Sequence, residues 1–473
     1  MRATHVSLFV LASTLLGSLG LGGCALKDPP AHEEVVQEAL PGVVVPGAWQ
    51  GHVGNQKVLE PWLGTFSDPR LDQLVGEAFA YNPDLKVAAA RVEEAAANVT
   101  AAGGRLLPAV DGFGKGGGKL GGDFTGTSGV LLRATWELDV WGRLRYGRRA
   151  AEEAFVSTQT DLAAARQSLA ATLAKAWFIA IESRLQRDIT LQMVSDAQQA
   201  VDLTDHRLRI GIGNELDVTL AQQTLQTSRD SVIQLDLAYR EAVRAVEVLI
   251  GRYPGAQLEA AQALASLTDE LSAGLPSELL ERRLDVQAAE HRIAAAFSQV
   301  EEARAAKLPT LTLTAGLSHI ESDLFVLGQR DDIVKSIGGS VFLPIFNGGQ
   351  LTAQVEARTA RQHQAVAMWA QTGLRAFREV EEALSREASL REREPILAAQ
   401  VDLAYRALEL ERVRYQVGSS DMRPVLQQQM QTYFARTALL RVQSERRVQR
   451  VNLFLALGGD FGVDATLAQS ASR

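Results

Sequence analysis

Alternating apolar and polar positions mark four short stretches of the chain. In 130–140, Val130, Leu132, Ala134, Trp136, Leu138 and Val140 alternate with Leu131, Arg133, Thr135, Glu137 and Asp139, Leu131 being the single lapse. In 310–318, Leu311, Leu313, Ala315 and Leu317 alternate with Thr310, Thr312, Thr314, Gly316 and Ser318. In 336–345, Ile337, Val341, Leu343 and Ile345 oppose Ser336, Gly338, Ser340 and Phe342, and a glycine-rich stretch at 109–120 gives a weaker version. A period of two is that of strands with one apolar and one wet face. Residues 144–208 are helical by pattern. They hold no proline, and Gly147 is their only glycine. At 1.5 Å per residue the segment spans about 97 Å. Leu162, Leu169, Leu173, Ala176 and Ala180 form a heptad-like seam. The stretch 351–416 repeats the pattern with Trp369, Ala376, Val380 and Ala383, and Pro395 predicts a kink or break there. After each long helix comes a reversal, RIGIGNELDV (209–218) and QVGSSDMRPV (416–425), into antiparallel helices at 214–250 and 421–457.

The chain is a duplication. PDLKVAAARVEEAAANVTAAGGRLLP (83–108) corresponds to LDVQAAEHRIAAAFSQVEEARAAKLP (284–309), Asp84 and Pro108 matching Asp285 and Pro309 at an offset of 201. Beyond the strands the offset is 207: Gly142, Arg207, Gly211, Val218 and Gly251 match Gly349, Arg414, Gly418, Val425 and Gly458. Each copy reads helix, strand, strand, very long helix, turn, long helix. The division expected is a leader at 1–23, a strap at 24–66, a first repeat at 67–251, a linker at 252–275, a second repeat at 276–458 and a tail at 459–473. The first repeat carries strands near 109–120 and 129–140, the second near 310–320 and 334–345.

The N-terminus bears on location. Arg2 and His5 precede an uncharged apolar run, Val6 to Leu21, and then Leu21-Gly22-Gly23-Cys24. This is a secretory leader whose end resembles a bacterial lipobox, with Cys24 as the acylated first residue. The alternative is an ordinary leader with a coincidental cysteine. Residue 25 is Ala rather than the Asp that favours inner-membrane retention in enterobacterial-type lipoproteins. Prolines 29, 30, 41, 46 and 61 punctuate a low-pattern segment that reads as an extended strap.

Composition narrows the function. Lys and Arg total 48 against 56 Asp and Glu, a net charge of −8, which disfavours nucleic acid as a partner. A single cysteine excludes an intramolecular disulfide framework. Gly112-Phe-Gly-Lys-Gly-Gly117 fits G-x-G-x-x-G, but it lies inside a predicted hairpin rather than opening a helix. His206, His291, His319 and His363 lack ligand spacing, and no nucleophile–base constellation stands out. Neither an enzyme nor a metal or cofactor site is expected.

Geometry then constrains assembly. Four strands cannot close a barrel, and open edges cannot sit in lipid. Twelve strands can close, if three chains contribute four each. The helices, rich in Arg, Glu and Gln, must stand outside the bilayer. The fold expected is mainly α with a membrane β-barrel: a trimeric 12-stranded barrel continuing into a periplasmic α-helical barrel. A coiled-coil periplasmic spacer is the alternative, but it has no use for amphipathic strands.

The chain resembles the outer membrane factor (TolC-like) family, in its efflux-system lipoprotein branch. The resemblance rests on the lipobox, LEPWLGTFSDPRLDQLVGEAFAYNPDLKVAAARVEEA (59–95), WELDVWGRLR (136–145), LPIFNGGQL (343–351) and the two turns, in family order along essentially the whole mature chain. It implies a homotrimeric duct in the outer membrane of a Gram-negative bacterium, lipid-anchored through Cys24. It also implies a periplasmic adaptor and an inner-membrane pump, expected to be of the proton-driven resistance-nodulation-division type. Arg207, Leu208, Gly211 and Gly213, with Arg414, Tyr415, Gly418, Ser419 and Ser420, are the candidate docking turns, the alternative being that the glycines only make turns. The family's gate resembles G-x-x-x-x-L-x-x-L-D-A-Q. Here Arg423 stands at the apolar place and Gln427 at the carboxylate place. The expectation is an Arg423 ring paired with nearby carboxylates, Asp421 first, the alternative being Arg423 in solvent between helices.

Overall fold

The structure, a computed structural model, describes residues 26–50, 62–115, 127–267, 273–322 and 333–459. Its elements are α1 (His32–Ala39), a 3-10 turn (Leu63–Phe66), α2 (Pro69–Tyr81), α3 (Pro83–Gly104), β1 (Ala109–Lys115), β2 (Thr127–Leu138), α4 (Arg143–Arg209) and α5 (Glu215–Leu249). There follow α6 (Leu279–Arg282), α7 (Leu284–Ala305), β3 (Thr310–Ser322), β4 (Val334–Phe342), α8 (Gln350–Gln416) and α9 (Met422–Ala456). The leader, Cys24 and the tail beyond 459 lie outside the described residues.

Two compact units share the chain. The first takes residues up to Val43, Ala90–Thr160 and Gln287–Thr372. Its sheet is an antiparallel meander in the order β1-β2-β3-β4. Register places Val110, Leu132, Trp136, Leu313, Leu317, Ile337 and Val341 on one face, and Asp111, Arg133, Thr135, Thr312, Thr314, Ser336 and Ser340 on the other. The apolar face is exposed, Ile337 at 90% and Val110 at 70%, which is the reverse of a water-soluble sheet and suits lipid. The lapse at Leu131 has a partner: it sits opposite Phe113, over whose ring the Arg133 guanidinium lies at 5.0 Å. β2 ends at Leu138 and β4 at Phe342, short of the expected 140 and 345. Each ends where its in-chain partner strand begins, at Leu311 and Thr310.

The strap is not extended throughout. HEEVVQEA forms α1, with Glu33 and Glu34 in its first turn and the Glu34 carboxylate accepting the Ala31 N–H at 3.1 Å. Val35 is buried, and His32 meets Glu290 at 2.8 Å and the edge of Trp369 at 6.0 Å. The proline punctuation hid these eight residues. Upstream, the Lys27 N–H donates to Tyr146 Oη at 2.8 Å, and Arg149 donates to the Asp28 carboxylate at 3.0 Å.

The second unit takes Val44–Ala89, Asp161–Val286 and the chain from Gly373. Trp62 stacks on Phe454 at 5.4 Å, and Phe66 meets Phe178 at 5.0 Å. Leu71, Leu74, Val75 and Ala78 of α2 are fully buried in the same core. Asp68 ties it together: one carboxylate oxygen caps α2 at Arg70 and Leu71, and the other accepts Trp177 Nε1–H at 2.8 Å. The seam residues Leu173, Ala180, Ala376, Val380 and Ala383 are all buried. The duplication is written into hydrogen bonds here. Asn82 Nδ2 donates to the Leu249 carbonyl at 2.9 Å, and at the equivalent place Arg283 Nη1 donates to the Ala456 carbonyl at 3.1 Å. The expected break at Pro395 does not occur, since α8 is one 67-residue helix through it. Packing of a long helix against its neighbours outweighs one lost ladder bond.

Candidate functional site: the two helix-hairpin tips

Both reversals lie in the second unit and are built alike. At the end of α4, the N–H groups of Ile212 and Gly213 both donate to the Arg207 carbonyl, and the N–H of Gly211 to that of Leu208. At the end of α8, Ser419 N–H donates to the Arg414 carbonyl at 2.9 Å and Gly418 N–H to that of Tyr415 at 3.1 Å. Gly211 and Gly418 sit at φ +80° and +76°, the left-handed region glycine enters without strain. Ser419 Oγ adds a bond to the Arg414 carbonyl at 3.0 Å, and Ser420 Oγ reaches the Asp421 carbonyl at 3.4 Å. Asn214 and Asp421, equivalent in the duplication, cap the outgoing helices: Asn214 Oδ1 accepts from Asp217 N–H, and Asp421 Oδ1 from Arg423 N–H.

The tips are clasped to one another. Arg207 lies over the Tyr415 ring at 4.5 Å and donates to the Tyr415 carbonyl at 3.0 Å. Burial pushes the Tyr415 hydroxyl pKa up, the Arg207 charge opposes this, and the Asp217 charge adds to it. Asp217 is the second clasp, and sequence reasoning missed it. It is buried, its Oδ2 accepts from Asn214 Nδ2 at 3.2 Å, and its Oδ1 accepts the Met422 N–H at 3.4 Å. The available signal was Asn214-Glu-Leu-Asp217, an N-cap followed three residues on by an acid.

The remaining predicted residues are not brought together in this way. Arg414 pairs with Glu411 of its own helix at 2.7 Å. The Asp421 carboxylate caps α9 through the Arg423 backbone, so the expected side-chain pair of Arg423 and Asp421 does not form within the chain. Arg423 and Gln427 are exposed, one turn apart on α9. With Leu220, Thr224, Leu426 and Met430 they line a groove of 310 Å³ between α5 and α9. Around the tips Ile210, Ile212 and Val417 are exposed at 56%, 63% and 72%. Among the described residues no group of three or more His, Cys, Asp or Glu could hold a metal, and no helix is long and apolar enough to cross a membrane.

Residues 74–252 and 275–459 match a family described as outer membrane efflux protein. The chain is 31% identical to the cation efflux system protein CusC of Escherichia coli over 407 residues, 84% of this chain and 88% of that one. It is 29% identical to the pyoverdine export outer membrane protein OpmQ of Pseudomonas aeruginosa over 96% of this chain and 97% of that one. Among solved structures, the outer-membrane channel OprN superposes with a TM-score of 0.80 at 26% identity, covering 88% of this chain and 97% of that one.

Proposed function

The chain belongs to the outer membrane efflux protein family, and on that premise we propose that three copies assemble into one export duct. The protein is a passive outer-membrane channel of a Gram-negative efflux system, and not an enzyme. Family members work with a periplasmic adaptor and an inner-membrane pump. The observation that carries the trimer is the sheet: four strands with an exposed apolar face and, among the described residues, two unpaired edges. In lipid such edges need partners, and three copies supply a closed ring of twelve strands. The polar face, with Arg133, Asp111 and the threonines of β3, then lines the lumen.

The finer parts of the reading attach to named residues. Cys24 carries the lipid anchor, with no other cofactor. The turns at Gly211 and Gly418, with their exposed Ile210, Ile212 and Val417, present apolar side chains to the adaptor. The pump is of the proton-driven resistance-nodulation-division type. Arg423 and Gln427, exposed on α9, face the duct as its gate. The single-channel current of purified protein in planar bilayers tests the duct, and native mass spectrometry in detergent tests the count. A protein that never conducts, or that stays a single chain, rejects the reading.

A further inference from the structure

The outer strands of the sheet are β1 and β4, and β4 is exposed over its whole length. If copies of this chain close a barrel, as proposed above, β4 of one copy must pair with β1 of the next, in one definite register.

The duplication supplies that register. Moving the first hairpin onto the second shifts β1 by 201 residues onto β3 and β2 by 207 onto β4, the offsets of the flanking helices. Under those shifts the pairs Ala109↔Thr135 and Val110↔Ala134 become Thr310↔Phe342 and Leu311↔Val341, which are the pairs observed. The two hairpins therefore correspond residue for residue. They are joined through Leu138↔Leu311, Trp136↔Leu313, Thr135↔Thr314 and Ala134↔Ala315. The same shifts carry this join onto β4 of one copy and β1 of the next as Ile345↔Val110, Leu343↔Gly112, Phe342↔Phe113 and Val341↔Gly114.

We propose that the seam between copies adopts this register, and that Phe113 of one copy and Phe342 of the next meet in it as a directly opposed pair on the polar face.

Three observations converge on it. The register keeps Val341, Leu343 and Ile345 on the apolar face with Val110, whereas a slip of one residue would set every pair across faces. Phe113 and Phe342 are the aromatic residues of the polar face among the described residues, one on each edge strand, and they are 48% and 68% exposed in the single chain. The equivalent in-chain position holds Thr135 opposite Thr314, which need no such cover. Finally, Leu343, Pro344 and Ile345 follow the last in-chain pair of β4 and have no strand beside them among the described residues, with Ile345 at 91% exposure. The proposed register gives all three a partner in β1, and Pro344, which has no N–H to donate, falls near the end of an edge strand. Arg133, stacked over Phe113 and 3.7 Å from the Asp111 carboxylate, steadies the β1 side of the pair.

Paired cysteines read the register. The chain has one cysteine of its own, so the wild type sets the background. The full-length Phe113→Cys, Phe342→Cys double variant is oxidised in outer membranes and run without reductant. The expected result is a shift from the mass of one chain to the masses of two and three. Val110→Cys with Ile345→Cys should shift likewise from the opposite face, which keeps the test open should the first variant fail to insert. Phe113→Cys with Ser340→Cys, two residues out of register, should stay at one chain. Crosslinking by the out-of-register pair, or by neither in-register pair in a protein still trimeric by native mass spectrometry, overturns the register and leaves the duct intact. A wild type that is not trimeric removes the premise itself.

Discussion

At the scale of single residues, the two tip glycines of the first hairpin do different work. A Cβ at Gly211 meets nothing within 4 Å, so its constraint is φ +80° alone, and Gly211→Ala is expected to cost about 1 kcal/mol. A Cβ at Gly213 would lie 2.7 Å from the Leu208 amide nitrogen and 2.9 Å from the Arg207 carbonyl carbon, so the backbone itself must move. Gly213→Ala should therefore lower the thermal midpoint, followed by circular dichroism in detergent, further than Gly211→Ala. The reverse order would show the turn to be softer than its geometry. Glu182 on α4 gives a pH dependence. Burial raises its pKa above the ordinary 4.5, the Glu445 charge adding, while Arg441 and the Gln186 hydrogen bond pull the other way. A folded pKa above the unfolded one means that folding favours the protonated acid. The stability this contributes is full below 4.5 and is lost as pH rises through the folded value. Glu182→Gln should therefore match wild type in acid and unfold at a higher temperature at neutral pH. Equal midpoints at neutral pH would mean that the carboxylate is already solvated. Arg423 belongs at this scale too. In the proposed trimer three like charges around one axis would repel unless paired or hydrated, and among the described residues the Arg423 guanidinium forms no ion pair. Arg423→Ala should raise single-channel conductance, with the difference shrinking as salt screens the wild type. Equal currents at low salt would place Arg423 outside the gate.

At the scale of elements, what the sequence shows and what it hides follow one rule. Period-two alternation in β2, β3 and β4 and the proline-free run of α4 are local patterns, and the elements appear where the patterns lie. Strand ends are not local: β2 and β4 stop where a neighbouring strand begins, which the sequence of one strand does not encode. Alpha1 was hidden because prolines on both sides drowned eight residues, although Glu33 and Glu34 in its first turn were visible. The two turns themselves were legible from their glycines. The Arg207–Tyr415 stack was not, because it joins side chains 208 positions apart. Pro395 is the converse case: of the kink or break its local rule predicts, the break is absent, since α8 runs through it. Having no N–H, it leaves the Arg391 carbonyl without its ladder bond. Pro395→Ala restores that donor, and the interior-proline penalty of about 3 kcal/mol exceeds the unfolded-state entropy that proline removes, about 1 kcal/mol or less. The variant should melt higher than wild type. A lower melting temperature would mean that α8 is already bent to suit the ring.

At the scale of the whole molecule, the proposed anchor and insertion into the membrane are expected to separate. The apolar face of the sheet exists without Cys24, so Cys24→Ala should lose its acyl label while still reaching the outer membrane at reduced yield, with unchanged single-channel conductance. Loss of conductance in the protein that does insert would tie the lipid to channel formation. The duplication has a further consequence at this scale. Asn82 and Arg283 hold equivalent joints, and both bonds end on main-chain carbonyls, those of Leu249 and Ala456. A carbonyl survives every substitution, so the accepting half of each joint lies beyond the reach of mutation. For this bond only the donor has to be kept, although Asn82 also caps α3, its Oδ1 accepting from the Asp84 and Leu85 N–H groups. An amide bridges the gap in one copy and a guanidinium in the other. Arg283 used the surplus to recruit Asp285 and Glu379 as well, at 2.7 Å each. Two halves that began identical were thus free to drift apart in chemistry while remaining locked in shape, because evolution could rewrite one side of the bolt and never the other.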